Sequence, residues 1–72
     1  MSFGQRLKEI RRESGLSQTD LATLLGVHLM TVSRWETSAN IPNIQYFLDI
    51  KNLFNVSSDY LLGLSDENLK HA

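Results

Sequence analysis

Residues 16–36 read LSQTDLATLLGVHLMTVSRWE, and this stretch decides the fold. Ser17 followed three residues later by Asp20 is a capping-box pattern, which predicts that a helix begins here. Gly26 is suited to end that helix, and a second helical segment is expected soon afterwards, from Leu29 to Thr37. Two short helices joined by a short turn that contains glycine form a helix-turn-helix unit, here at about residues 17–36.

Three further helices are expected around this unit. They are a first helix over Phe3–Ser14, a fourth from Asn43 to Phe54, and a fifth from Ser57 or Ser58 to Gly63. The connections are short and no stretch alternates in the manner of a strand, so the fold class is all-α, a compact bundle of five short helices. We expect residues 1–63 to form one domain and residues 64–72 to be a short polar C-terminal tail.

The composition limits the kind of site that 72 residues can carry. There is no cysteine, and the two histidines, His28 and His71, have no carboxylate pattern beside them, so neither a metal site nor a cofactor is expected. The net charge is −1, which is unfavourable for binding a polyanion. Residues 1–36 carry five cations and four anions (+1), and residues 37–72 carry two cations and four anions (−2). A surface that attracts an anion must therefore lie in the first half.

The second helix of the unit has two different sides at 100° per residue. Its inward side consists of Val32, Trp35 and Glu36. Its outward side consists of Met30, Thr31, Ser33 and Arg34, with Leu29 at the edge. Small polar groups and a guanidinium can hydrogen-bond to the edges of DNA bases, and a methionine can contact a thymine methyl group. The spacing fits a solvated helix face equally well.

The same residues resemble a known family. The matching runs are Leu16–Ala22, Leu25–Val27, Val32–Glu36 and Val56–Gly63, together with Pro42. They are similar to the phage Cro/repressor (XRE-type) helix-turn-helix family, and the likeness extends over most of the chain. The resemblance implies a lambda-repressor-like DNA-binding domain that binds operator DNA, usually as a dimer, and regulates transcription, here as a repressor.

The resemblance also implies which residues touch DNA. The base-contacting positions match Leu29, Met30, Thr31 and Arg34, and Arg34 offers the two parallel donors that guanine O6 and N7 accept. The phosphate-contacting residues are expected to be Gln18, His28, Ser33, Thr37, Ser38, Asn40 and Asn43. The chain departs from the family at His28, where Ser or Thr is usual, and at Ser38, where Gly is common. Leu29 and Met30 are apolar where the family more often has polar residues.

An ion pair is expected between Arg11 and Glu36. Arg11 lies about 40° from Leu7 on the first helix and so points inward, as Glu36 does on the third. Because an unpaired buried charge is very costly, two inward charges of opposite sign should meet. The family has an Arg–Glu pair at these positions, and its expected role is to position the third helix.

The fourth helix carries a second apolar strip that could mediate dimerisation. Its members, with their neighbours on the fifth helix and beyond, are Ile44, Phe47, Ile50, Phe54, Tyr60, Leu61 and Leu64. The strip could equally serve to pack the fifth helix on the fourth. We expect a homodimer, at least on DNA, because it would compensate for the weak charge.

A second function stays open beside operator binding. Leu29 and Met30 could anchor a protein partner, as in an antitoxin or anti-regulator module that uses the same helix face. An enzyme is not expected, because the chain shows no phosphate-binding glycine loop and no histidine paired with a carboxylate. No run approaches the ~20 apolar residues of a membrane span, and the start lacks a signal-peptide pattern, so a cytoplasmic location is expected.

Overall fold

The computed structural model describes residues 1–67 and shows five helices within them. They are α1 (Phe3–Glu13), α2 (Gln18–Leu25), α3 (Leu29–Glu36), α4 (Ile44–Phe54) and α5 (Ser58–Leu61). The predicted all-α bundle is confirmed, and residues 1–67 contain no strand. None of these helices is long and apolar enough to cross a bilayer. Of the predicted tail, residues 68–72 lie outside the described part.

Local capping explains where the helices begin and end. Asp20 and Ser17 form the predicted capping box: the Asp20 N–H donates to Ser17 Oγ at 3.0 Å, and the Ser17 N–H donates to the Asp20 carboxylate at 2.9 Å. This backbone hydrogen bond holds the pKa of Asp20 below its usual value. A second capping box, Ser2 with Gln5, opens α1 and was not predicted. Gly26 ends α2 in the left-handed conformation, with φ of 70°.

The core is built around α3, which packs against both α1 and α2. Its buried residues come from all five helices and the α4–α5 connection: Leu7, Ile10, Leu21, Ala22, Val32, Trp35, Ile50, Val56, Tyr60 and Leu61. Gly4 makes the closest approach of α1 to α3 possible. A Cβ at Gly4 would lie 2.5 Å from the Trp35 carbonyl oxygen and 2.7 Å from that of Glu36, so only glycine fits without a backbone shift.

The apolar strip on α4 and α5 divides into a buried part and an exposed part. Ile50, Tyr60 and Leu61 are buried inside the chain, and α5 packs on α1. Ile44, in contrast, leaves 72% of its surface exposed. Ile44 and Ile50 lie about 120° apart around α4, so the core covers one of them and not the other.

Candidate nucleic-acid interface

The third helix presents one buried and one accessible side. Val32, Trp35 and Glu36 are at most 7% exposed, which confirms the predicted inward side. The aromatic ring of Tyr46 from α4 lies against Trp35, with ring centroids 5.7 Å apart. The helix is therefore fixed by packing on its inner side, while its outer side stays available for a ligand.

The outer side carries the four predicted base-contacting residues. Met30 is 50% exposed, Leu29 is 40% exposed, Arg34 is exposed and Thr31 is half-buried. Within residues 1–67 no carboxylate lies within salt-bridge distance of the Arg34 guanidinium. Arg34 thus stands on the exposed side of α3, beside two apolar side chains and a hydroxyl.

Arg11 and Glu36, which the sequence predicts to pair, form a buried two-point contact. Arg11 Nε donates to Glu36 Oε2 at 2.6 Å, and Arg11 Nη2 donates to Oε1 at 3.0 Å. The side chains are 8% and 2% exposed. The hydrogen bond to the Glu36 carboxylate raises the pKa of Arg11, so the charged form of the guanidinium is stabilised.

Two further hydrogen bonds extend this contact to α2. Gln18 Nε2 donates to Glu36 Oε1 at 3.1 Å, and Arg11 Nη1 donates to the Leu16 carbonyl at 2.8 Å. The network joins α1, the α1–α2 turn, α2 and the last turn of α3. Because each group is hydrogen-bonded to another element, the network fixes the orientation of α3 relative to α1 and α2.

His28 is the N-cap of α3, as the resemblance implies for its position. Its Nδ1 accepts a hydrogen bond from the Met30 N–H at 3.2 Å. The side chain is exposed at the N-terminus of the helix.

The loop after α3 holds four of the predicted phosphate-contacting residues. Ser38 and Asn40 are exposed, and Ser38 has a φ of 65°, in the left-handed region that favours glycine. This conformation explains why the family often has Gly at the position of Ser38. The Thr37 hydroxyl donates to the Arg34 carbonyl at 3.3 Å, and Asn43 Oδ1 accepts from the Tyr46 N–H at 3.0 Å. Ser33, the remaining predicted phosphate contact, is half-buried on α3.

The sequence reasoning missed one buried charge, Arg6. Its guanidinium lies 3.9 Å from the centre of the Tyr60 ring, and Nη2 is 3.4 Å from the Asp66 carboxylate. Arg6 is 3% exposed. A signal was present, because Arg6 lies about 40° from Ile10 on α1, the same arithmetic that places Arg11 inward. Its aromatic partner is more than fifty residues away, and no local pattern points to it.

A capped helix, a left-handed turn and a second helix with one buried and one exposed side are the parts of a helix-turn-helix DNA-binding domain. The sequence model of the helix-turn-helix family matches residues 7–61, and the chain belongs to this family. The matched region contains all the predicted DNA-contacting residues and the Arg11–Glu36 pair.

Named relatives agree with this membership. The chain is 38% identical over 71 residues to the HTH-type transcriptional regulator ImmR of Bacillus subtilis (strain 168), a match that covers 99% of this chain and 56% of that protein. It is 31% identical over 71 residues to the repressor protein C2 of Salmonella phage P22, covering 96% of this chain and 33% of the repressor. The chain therefore spans about half or less of the length of these curated relatives.

The fold also matches a solved protein–DNA complex. The P22 c2 repressor protein in complex with a synthetic operator superposes with a TM-score of 0.83 at 29% identity. The superposition covers 90% of this chain and 98% of the other.

Proposed function

We propose that the chain is a sequence-specific DNA-binding transcriptional regulator, a repressor, which inserts α3 into the major groove of an operator half-site. One observation carries the proposal: α3 is held on its inner side by the core and the Arg11–Glu36 contact while its outer side is left accessible. Residues 1–63 form the DNA-binding unit, and residues 64–72 are its polar tail. In this proposal the chain is a cytoplasmic binding module and has no catalytic role.

Arg34 is the main reader of sequence in this proposal. Its guanidinium has no carboxylate partner within residues 1–67 and stands on the exposed side of α3. Two parallel N–H donors match guanine O6 and N7, and such a contact discriminates against the wrong base by about 1–3 kcal/mol. Thr31 adds a hydroxyl for a base edge.

Leu29 and Met30 recognise thymine. Both are apolar and exposed by 40% and 50%, and the C5-methyl group of thymine is the apolar feature of the major groove. The half-site should therefore combine a guanine, read by Arg34, with one or two A·T pairs beside it.

Phosphate contacts come from short polar groups and not from cations. The residues are Gln18, His28, Ser33, Thr37, Ser38, Asn40 and Asn43, and the loop among them contains no Lys or Arg. Backbone N–H groups and helix N-termini can bind phosphate, but fewer charges are neutralised. We infer weak binding of one domain to one half-site, with a shallow dependence on salt. A homodimer on double-stranded DNA would strengthen the complex.

A protein-interaction module of antitoxin or anti-regulator type is the second candidate. The exposed Leu29 and Met30 favour it, because apolar anchors of this size suit a partner protein. The two functions differ in what they require of Arg34. An unpaired guanidinium amid an apolar interface would be desolvated at a cost, whereas a guanine edge satisfies it.

Selection of bound duplexes from a random pool tests the proposal. The 72-residue chain should enrich a short motif at low salt, with two copies in inverted orientation about one helical turn apart. Arg12→Ala, a change at an exposed cation of α1, is the control and should enrich the same motif. If no sequence is enriched at low salt, the DNA-binding proposal is wrong.

A further inference from the structure

The outer side of α3 carries an exposed sulfur atom, that of Met30. The 72 residues contain no cysteine, so their sulfur atoms are the thioethers of Met1 and Met30. Both side chains are open to solvent, at 61% and 50% exposure. A thioether is oxidised to the sulfoxide without the thiolate that a cysteine sensor needs, and methionine sulfoxide reductases reverse the change. Oxidation of sulfur in this chain is therefore directed to these two residues.

The two methionines lie in different surroundings. Met1 precedes α1, and its backbone packs against Gly63 after α5. Met30 is the second residue of α3 and stands among the residues proposed to read bases. Its N–H donates to His28 Nδ1 at 3.2 Å, which holds its backbone in the first turn of the helix. Oxidation of Met30 therefore alters the recognition surface itself, whereas oxidation of Met1 leaves α3 unaltered.

Arg34 follows Met30 by one helical turn on the same exposed side. Residues four apart are neighbours on a helix, and side chains lean towards its N-terminus, so the Arg34 side chain extends over the turn that carries Met30. Within residues 1–67 no carboxylate lies within salt-bridge distance of the Arg34 guanidinium. A thioether is only a weak acceptor of hydrogen bonds, whereas its sulfoxide is polar. Oxidation thus places a strong acceptor beside donors that have no carboxylate to hold them.

We propose that Met30 is a reversible oxidation site through which peroxide releases the chain from its operator. A lone pair of the Met30 sulfur forms a bond to one oxygen of hydrogen peroxide while the O–O bond breaks. The leaving hydroxide takes the proton of the transferred oxygen and departs as water. The sulfur is oxidised by two electrons, and the peroxide is reduced by the same two. This inference rests on the proposed function and adds a chemical signal that regulates it.

The sulfoxide opposes recognition at two proposed contacts. The apolar contact of Met30 with a thymine methyl group is replaced by a polar group. The sulfoxide oxygen also accepts from the Arg34 guanidinium, which leaves fewer donors for guanine O6 and N7. Affinity for the half-site should fall at least about tenfold, since a base contact of this kind is worth about that factor. The fold should be kept, because Met30 lies outside the core.

Titration of the 72-residue protein before and after peroxide treatment tests the proposal. Mass spectrometry of its peptides measures the sulfoxide at Met30, and the fluorescence of the buried Trp35 checks the fold. The oxidised wild type should bind its selected half-site at least about tenfold more weakly and should recover after treatment with methionine sulfoxide reductases. Met30→Leu keeps Met1 and is the control: whatever its own affinity, peroxide should not change it.

Two further measurements test the arrangement on α3. The loss on oxidation should be smaller in Arg34→Ala than in the wild type, because no guanidinium remains to be diverted from guanine. The selected half-site should slow the oxidation of Met30 and leave that of Met1 unchanged, because Met30 is then covered by the major groove. Equal rates at Met30 with and without the half-site would place this side chain outside the contact and overturn the proposal.

The untreated wild type separates this inference from the proposed function. If it binds no half-site, the DNA-binding proposal fails and the oxidation proposal fails with it. If it binds, and the fully oxidised protein binds equally well, operator binding stands and the Met30 proposal is overturned. The same holds if Met30→Leu loses as much affinity to peroxide as the wild type does. An equal loss in Arg34→Ala and the wild type would overturn the part given to Arg34.

Discussion

The Arg11–Glu36 contact allows a quantitative prediction about stability. Both side chains are at most 8% exposed, and they share two hydrogen bonds. Removing one partner leaves the other charge buried, which costs about 3–5 kcal/mol in proteins. A domain of this size has a free energy of unfolding of about 4–11 kcal/mol. Arg11→Met or Glu36→Met alone should therefore consume a large part of the total stability.

The double variant should be much less damaging than the two single changes suggest. With both charges replaced by methionine, no buried charge remains. The Gln18 amide and the Leu16 carbonyl then lose their partners, at a combined cost of about 2 kcal/mol. With each single change at the lower limit of about 3 kcal/mol, the coupling free energy in the double-mutant cycle is about 4 kcal/mol.

Urea unfolding followed by the fluorescence of Trp35, the single tryptophan, measures all four corners of the cycle. A stabilising osmolyte present in every sample keeps the single variants folded at zero urea. Arg12→Met is the control, since Arg12 is exposed on the same helix and should change stability by no more than about 0.5 kcal/mol. If Arg11→Met and Arg12→Met cost the same, or if the two single costs simply add, the pair does not hold α3 as argued.

Three further predictions concern the backbone and the caps. Gly4→Ala should lower the free energy of unfolding by about 1–3 kcal/mol, measured by thermal melting, because its Cβ would meet two carbonyl oxygens of α3; an unchanged melting temperature would contradict the close approach. The lowered pKa of Asp20 means that its carboxylate stabilises the fold above pH 3.8, an effect lost as the pH falls through and below that value. The free energy of unfolding is measured in urea at one pH above 3.8 and one below it. On this acidification the wild type should lose more stability than Asp20→Asn, and equal losses would show that protonation of Asp20 does not weaken the capping box. His28→Ala should cost about 0.5–2 kcal/mol through loss of the α3 cap, while His28→Ser should restore most of it in the same melting assay; equal values for both variants would contradict a capping role.

Much of the fold could be predicted because its determinants are local. Ser17 with Asp20 opens α2, and the left-handed Gly26 and Asn55 end their helices, each through hydrogen bonds within a few residues. The inner side of α3 follows from its helical period. The Arg11–Glu36 contact was predictable without coordinates because two inward charges of opposite sign have few alternatives to pairing.

The remaining features depend on contacts that are distant in the sequence. The stacking of Arg6 on Tyr60 requires knowing that α5 packs on α1, which no local pattern encodes. The division of the apolar strip also depends on distant contacts, since Ile50 is covered by the core while Ile44, about 120° away around α4, is exposed. An open apolar groove is likewise formed by residues from α1, the α3–α4 loop, α4 and the position after α5, namely Phe3, Ile41, Pro42, Ile44, Phe47 and Leu62.

The contact between Arg34 and one guanine tests the central claim most directly. In the selected half-site, each guanine is replaced in turn by 7-deazaguanine, which lacks the N7 acceptor, and binding is measured for the wild type and for Arg34→Ala. We predict one position at which the wild type loses about tenfold in affinity while Arg34→Ala, already weaker, loses nothing further. If no guanine shows this difference, or if both proteins lose affinity equally at every position, Arg34 on the exposed side of α3 does not read the DNA sequence.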